Sequence, residues 1–209
     1  LMTGQHLGHT RVRGNGGKVG GVEVTDNGGL QRRVPLEAED ITVAELLKKA
    51  GYTTGMTGKW GLGEPGTSGE PNQQGFDDWF GYLNQRRAHT YWPPYLWKNS
   101  EKIVLEENKN GKQGAYSHDM FTEFALQFLE KNKTNPFFLF VPYTIPHYKL
   151  HPPSLAPYEN EEWTEDQKAF AAMVTRMDKD VGRIMTWLQE SKRDKDTIVF
   201  FCSDNGGLP

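Results

Sequence analysis

The stretch Thr42-Val43-Ala44-Glu45-Leu46-Leu47-Lys48-Lys49-Ala50-Gly51-Tyr52-Thr53-Thr54-Gly55-Met56-Thr57-Gly58-Lys59-Trp60-Gly61-Leu62-Gly63 decides the fold. Thr42 followed three residues later by Glu45 is a capping box, in which each side chain satisfies a backbone N–H at a helix start. Leu46 to Ala50 continue a helix over 42–50, and Gly51 stops it. A strand follows over Tyr52–Thr57 and runs into a loop where Gly58, Gly61 and Gly63 surround one lysine, Lys59. Glycine admits positive φ or a close approach to a ligand, and a lysine ammonium is a compact charge suited to an anionic group. The pattern equally suits a surface lysine in a turn. Helix, glycine, strand and loop in this order is the layout of an open α/β sheet, whose ligands bind where the strands end.

Two more helix–strand pairs lie downstream. Ser117–Lys131 places Met120, Phe121, Phe124, Ala125, Phe128 and Leu129 on one helical face. Asn135-Pro136 interrupts the chain before Phe137–Tyr143, an apolar run expected of a strand buried on both faces. Thr164 with Gln167 forms a second capping box. It opens a helix with an apolar stripe at Phe170, Met173, Val174, Met177, Val181, Ile184, Met185 and Leu188. Thr197–Cys202 reads as a third buried strand, ending in the loop Ser203-Asp204-Asn205-Gly206-Gly207. This alternation predicts an α/β domain with a mostly parallel sheet flanked by helices. Elsewhere, residues 1–35 read as loops with a short hairpin around Val19 to Val24. Residues 61–100 read as a long, aromatic-rich loop region that shapes a pocket, and Asn108-Lys109-Asn110-Gly111 as an exposed hairpin.

Composition narrows the partners. The 209 residues are 36% hydrophobic and carry a formal charge of −3, which gives no electrostatic reason to expect nucleic acid or an anionic membrane. No apolar run reaches the length of a membrane span. The lone cysteine, Cys202, excludes an internal disulfide framework. Beginning at Leu1 and stopping just after a site-like loop, the chain reads as part of a longer protein.

In a parallel sheet the loops after the strands emerge on one edge, so distant residues converge there. The first loop offers Lys59, the second His147 and the third Asp204 with Asn205. Asp204 and Asn205 are hard oxygen ligands suited to Ca²⁺ or Mg²⁺, or else an ordinary Asp-Asn-Gly turn. His147 suits a general acid or a donor to an oxyanion, or a structural hydrogen bond. Gln85 and His89, in the aromatic-rich region, are candidate pocket residues, or else part of a solvated loop. His118 and His151 read as structural.

Taken together these pieces resemble the sulfatase family of the alkaline-phosphatase-like superfamily, in particular the arylsulfatase A type. The resemblance is carried by Leu1-Met2-Thr3-Gly4-Gln5, Ala50-Gly51-Tyr52-Thr53-Thr54, Thr57 to Gly63, Gln74-Gly75-Phe76-Asp77, Pro136 to Leu139, Pro146-His147, Met177 to Gly182 and Ser203 to Gly207, in the family's order over nearly the whole chain. It implies that residues 1–209 are part of a single sulfatase catalytic domain that hydrolyses a carbohydrate or aryl sulfate ester. It further implies a formylglycine hydrate as nucleophile, from a Cys or Ser upstream of Leu1, and Ca²⁺ as cofactor. Lys59 matches the sulfate-contacting lysine, His147 the histidine beside the leaving oxygen, and Asp204 and Asn205 the metal pair. Gln85 and His89 are expected at the substrate. Gly61 stands where many members have a histidine. The isolated segment is expected to be inactive, and a periplasmic or extracellular location is expected of the parent. Two alternatives are a phosphodiesterase or phosphonate hydrolase of the same superfamily and a non-catalytic binder of sulfated glycans.

Overall fold

The computed structural model describes residues 1–14, 22–26, 29–204 and 206. A hairpin comes first, β1 (Val22–Asp26) antiparallel to β2 (Gly29–Arg33), displaced toward the C-terminus of the expected Val19–Val24 turn. Next is α1 (Val43–Lys49), opened by the Thr42–Glu45 capping box with both reciprocal bonds made. Then follow β3 (Thr53–Lys59), β4 (Asp78–Tyr82), β5 (Tyr95–Lys98), β6 (Glu101–Val104), α2 (Ser117–Lys131), β7 (Phe137–Phe140) and α3 (Glu165–Glu190). The second capping box, Thr164 with Gln167, opens α3.

β3 to β7 form one sheet in the order β6-β5-β4-β3-β7. β3 is parallel to both β4 and β7, whereas β5 and β6 extend the sheet as antiparallel strands. The sheet is therefore mixed, and its parallel part is the β4-β3-β7 centre. Alternate side chains sort to opposite faces. Met56, Trp79, Phe138 and Phe140 meet Ala44 and Val43 of α1. Phe80, Tyr82, Phe137 and Leu139 meet Phe121, Phe124 and Phe128 of α2. Gly55 permits that second packing: a Cβ there would lie 2.5 Å from the Phe128 ring.

Three expectations need correction. Region 61–100 is not all loop, because it contains β4 and β5. Asn108 is buried, not exposed. Its amide donates to the carbonyls of Pro93 and Ala115, both at 2.8 Å, and its oxygen accepts from the Gly114 and Ala115 N–H groups. Most consequentially, Thr197–Cys202 forms no strand, and Ile198 and Phe200 are 80% and 89% exposed. Arg193 donates to the carbonyls of Lys133 and Asn135, so the chain leaves α3 beside the start of β7. Among the described residues, however, β7 pairs only with β3. The other edge of β7 stays open, and residues 197–202 neither pair with it nor have their faces covered, so their apolar side chains remain exposed. β7 is accordingly half-buried along its length rather than enclosed.

α3 is joined to α2 through polar groups. Arg176 grips Asp119 with two nitrogens, at 2.6 and 2.5 Å. Arg183 reaches Glu123 at 2.5 Å and Asp180 at 3.1 Å, and Trp187 donates to Glu130 at 3.1 Å. Asp180 sits at the seam's centre. It accepts from Thr122 at 3.1 Å, and its Oδ2 lies 2.9 Å from Nε2 of the fully buried His118. Burial raises the Asp180 carboxyl pKa, but His118 and Arg183 outweigh it and hold it below its ordinary range. Thr122 also pairs with the Tyr143 hydroxyl at 2.8 Å, tying the seam to the chain leaving β7.

Candidate active site

β3 ends at Lys59, which is half-buried at the centre of the parallel strands. Its backbone continues as a wedge between the segments leaving β7 and β4. Lys59 N–H donates to the Pro142 carbonyl at 2.9 Å, Trp60 N–H to Tyr82 at 2.9 Å and Gly61 N–H to Leu83 at 3.0 Å. The buried Trp60 indole donates to the Gly69 carbonyl at 2.7 Å. Gly58, at φ 128°, makes the wedge possible, since a Cβ there would lie 2.2 Å from the Pro142 carbonyl oxygen. The lysine stem thus leaves a backbone fixed from both sides.

The segment after β7 buries Thr144 and Ile145, turns through a cis Ile145-Pro146 bond and presents an exposed His147. The buried Tyr91 hydroxyl donates to the His147 carbonyl at 2.6 Å. Burial of that phenol pushes its pKa well above the ordinary tyrosine value, so it stays a donor at any working pH.

The segment after β4 carries Gln85 and His89. Asn84 accepts from Arg86 N–H at 2.9 Å, starting a short 3-10 turn over Arg87–His89. The Tyr82 hydroxyl closes it on the Thr90 carbonyl at 2.5 Å. His89 is half-buried and stacks on His147, with ring centroids 4.6 Å apart and planes 13° apart. Burial depresses the His89 pKa, and the positive fields of His147 and Lys59 depress it further. Gln85 lies over Gly61, where a Cβ at φ 80° would come within 2.4 Å of its Cγ. Arg33 Nη1 lies 3.4 Å from Gln85 Oε1, a long contact.

Lys59, Gln85, His89 and His147 therefore meet at the C-terminal ends of β3, β4 and β7. The third strand end is that of β4, not that of 197–202. Asp204 is exposed on the segment that joins no sheet, and Asn205 lies outside the described residues. Among the described residues, no group of three or more His, Cys, Asp or Glu side chains could hold a metal ion. The described residues alone do not complete a metal site, so no chemical step is assigned to one. His118 is structural, as expected, and His151 is exposed. Tyr91 escaped notice because a buried phenol reads in sequence as one more aromatic in an aromatic-rich stretch.

The arrangement offers one fixed ammonium and two imidazoles, a set suited to charge developing on an oxyanion and a leaving oxygen. The family model described as Sulfatase matches residues 14–208. Mouse N-acetylgalactosamine-6-sulfatase is 33% identical over 174 residues, covering 78% of this chain and 32% of that protein. The arylsulfatase of Hemicentrotus pulcherrimus is 31% identical over 190 residues, covering 82% and 32%. Among solved structures, Ps i-CgsB in complex with k-i-k-neocarrahexaose superposes with a TM-score of 0.63 at 26% identity, over 77% of this chain and 39% of that one. The chain spans about a third of the length of the curated relatives it matches. With a family match over almost all its residues and a sheet that gathers Lys59, His89 and His147 on one edge, the chain belongs to the sulfatase family.

Proposed function

We propose that the full-length protein hydrolyses a sulfate ester of a carbohydrate, with 6-sulfated galactosamine the first sugar to test because relatives act on it by name. The observation that carries this reading is the convergence of Lys59 with the stacked His89–His147 pair at three adjacent parallel strand ends. Lys59 holds a sulfate oxygen and offsets the negative charge that grows there in the transition state. His147, exposed and held through its carbonyl by Tyr91, donates a proton to the leaving sugar oxygen. His89 supports the His147 ring from beneath and faces the sugar with Gln85. The formylglycine hydrate of the family supplies the attacking oxygen. Asp204 and Asn205 are the proposed calcium ligands of this chain, and a periplasmic or extracellular location follows the family likeness.

The test uses the full-length protein, matured with a formylglycine-generating enzyme, on 4-nitrophenyl sulfate and on N-acetylgalactosamine 6-sulfate. Lys59→Met should lower kcat/KM by about 100-fold or more, as loss of a fixed oxyanion donor does. Unchanged kcat/KM would remove Lys59 from the sulfate.

A further inference from the structure

Gly61 and Gln85 are fitted to each other. Gly61 has φ 80°, in the left-handed region that favours glycine. A Cβ on it would lie 2.4 Å from Gln85 Cγ, 2.6 Å from Nε2 and 2.8 Å from Cδ. The Gln85 side chain therefore occupies the space that any side chain at position 61 would enter. Both backbones are fixed where they meet. Gly61 N–H donates at 3.0 Å to the carbonyl of Leu83, two residues before Gln85. Between Leu83 and Gln85, the Asn84 amide donates to the buried Glu64 at 2.9 Å, and its oxygen accepts from the Arg86 N–H.

The Gln85 carboxamide has a defined sense. Arg33 carries only donors, so the group facing its Nη1 at 3.4 Å is the Gln85 oxygen. Nε2 is left against Gly61, two residues beyond Lys59, and has no hydrogen-bond partner among the described residues. Gln85 is half-buried, and its nitrogen is not sealed from solvent. A partly desolvated donor without a partner favours a ligand that brings an acceptor. We infer that Gly61 and Gln85 act as one unit: the bare glycine seats the carboxamide, and the seated Nε2 donates to an acceptor oxygen of the ester held by Lys59. That oxygen belongs either to the sulfate or to the sugar beside it. The inference rests on the sulfatase reading of Lys59. It goes beyond that reading by making Gln85 a neutral contact to the substrate whose placement depends on residue 61.

Steady-state kinetics of the full-length, matured protein test this with N-acetylgalactosamine 6-sulfate and 4-nitrophenyl sulfate. Gln85→Met keeps the length of the side chain and removes the donor. It should lower kcat/KM for the sugar ester about fivefold, the scale of one neutral hydrogen bond. A loss shared by 4-nitrophenyl sulfate assigns the oxygen to the sulfate, and one confined to the sugar ester assigns it to the sugar. Gly61→Ala, which drives the carboxamide off its seat, should cause a similar loss. The double variant should then be no worse than either single one, because both remove the same contact. Unchanged kcat/KM in Gln85→Met, or losses that multiply in the double variant, would overturn the inference. Should Gly61→Ala fail to fold, Gly61→Asn takes its place, since asparagine tolerates the left-handed backbone. A wild-type protein that hydrolyses neither ester counts against the sulfatase reading alone. Calorimetric binding of N-acetylgalactosamine 6-sulfate then decides: about fivefold weaker binding by Gln85→Met supports the contact, and equal or undetectable affinity in both proteins overturns it.

Discussion

Gly58→Ala should damage the protein far more than its single methyl group suggests. The new Cβ would stand 2.2 Å from the Pro142 carbonyl oxygen. Real Cβ atoms stay beyond 3.0 Å, so that oxygen must retreat by most of an ångström. It accepts the Lys59 N–H at 2.9 Å, and retreat forfeits this bond at about 1 kcal/mol. At φ 128° the alanine is also strained by roughly 1–3 kcal/mol. The sum is about 2–4 kcal/mol, before any displacement of the chain that carries His147. Gly61→Ala is the natural comparison. Its φ of 80° costs a similar strain, but its obstacle is the movable Gln85 side chain, so about 1–2 kcal/mol is expected. Urea unfolding of the full-length protein, followed by tryptophan fluorescence, measures both. Equal midpoints for the two variants, or a Gly58→Ala midpoint matching wild type, would refute the view that β3 and the Pro142 segment are locked backbone to backbone.

Two further outcomes follow from the charges. Asp180→Asn should cost about 2–3 kcal/mol near neutral pH, because it leaves His118 and Arg183 without their central anion. Burial pushes the Asp180 carboxyl up, but His118 and Arg183 outweigh it and hold it below the ordinary range. Its contribution is therefore complete above the unfolded carboxylate pKa of about 3.9 and disappears as pH falls through the lower folded value. Urea midpoints of variant and wild type should converge only in acid. A gap that closes near pH 6 would assign the effect to another group. His89 behaves in the opposite sense to a histidine gaining an anionic partner. Its folded pKa lies below the ordinary value, so the stability it lends is full above about pH 6.5 and falls as pH drops below it. In ring NMR titrations, Lys59→Met should move the His89 midpoint upward. A midpoint unmoved by that substitution would place Lys59 too far away to act on the ring.

The features most legible in the sequence were those fixed locally. Both capping boxes are present because Thr42 with Glu45, and Thr164 with Gln167, satisfy their own backbone groups without tertiary help. Ser117–Lys131 is helical over the span its apolar spacing indicated. What failed depended on partners. Asp78–Tyr82 has no clean alternation, and its Gly81 looks like a loop residue. It is a strand because Gly81 lets the Gly58 carbonyl press against it, a fact belonging to two segments at once. Thr197–Cys202 has the composition of a buried strand, but composition cannot say whether a segment pairs or what covers its faces, and here it does not pair with β7. The candidate site divides along the same line. Lys59 and His147 follow strands that exist, so they could be placed by topology, and Gln85 and His89 came from their aromatic surroundings. That His89 stacks on His147 depends on loop conformation no spacing rule encodes.

The seam between α2 and α3 has a bearing on the surroundings in which this protein works. α3 is roughly 39 Å long at 1.5 Å per residue, and it is held by an apolar cluster that joins its buried Met173 to Tyr116 and Ile145, together with a row of ion pairs on α2 whose outer members are partly open to water. Dissolved ions loosen such a grip while leaving oil-like packing intact or stronger. Through Asp180, Thr122 and Tyr143 the row ends at the arm bearing His147. Salt is thus expected to weaken the outer ion pairs of the seam, while the apolar cluster holding Ile145 and Met173 keeps the arm in place.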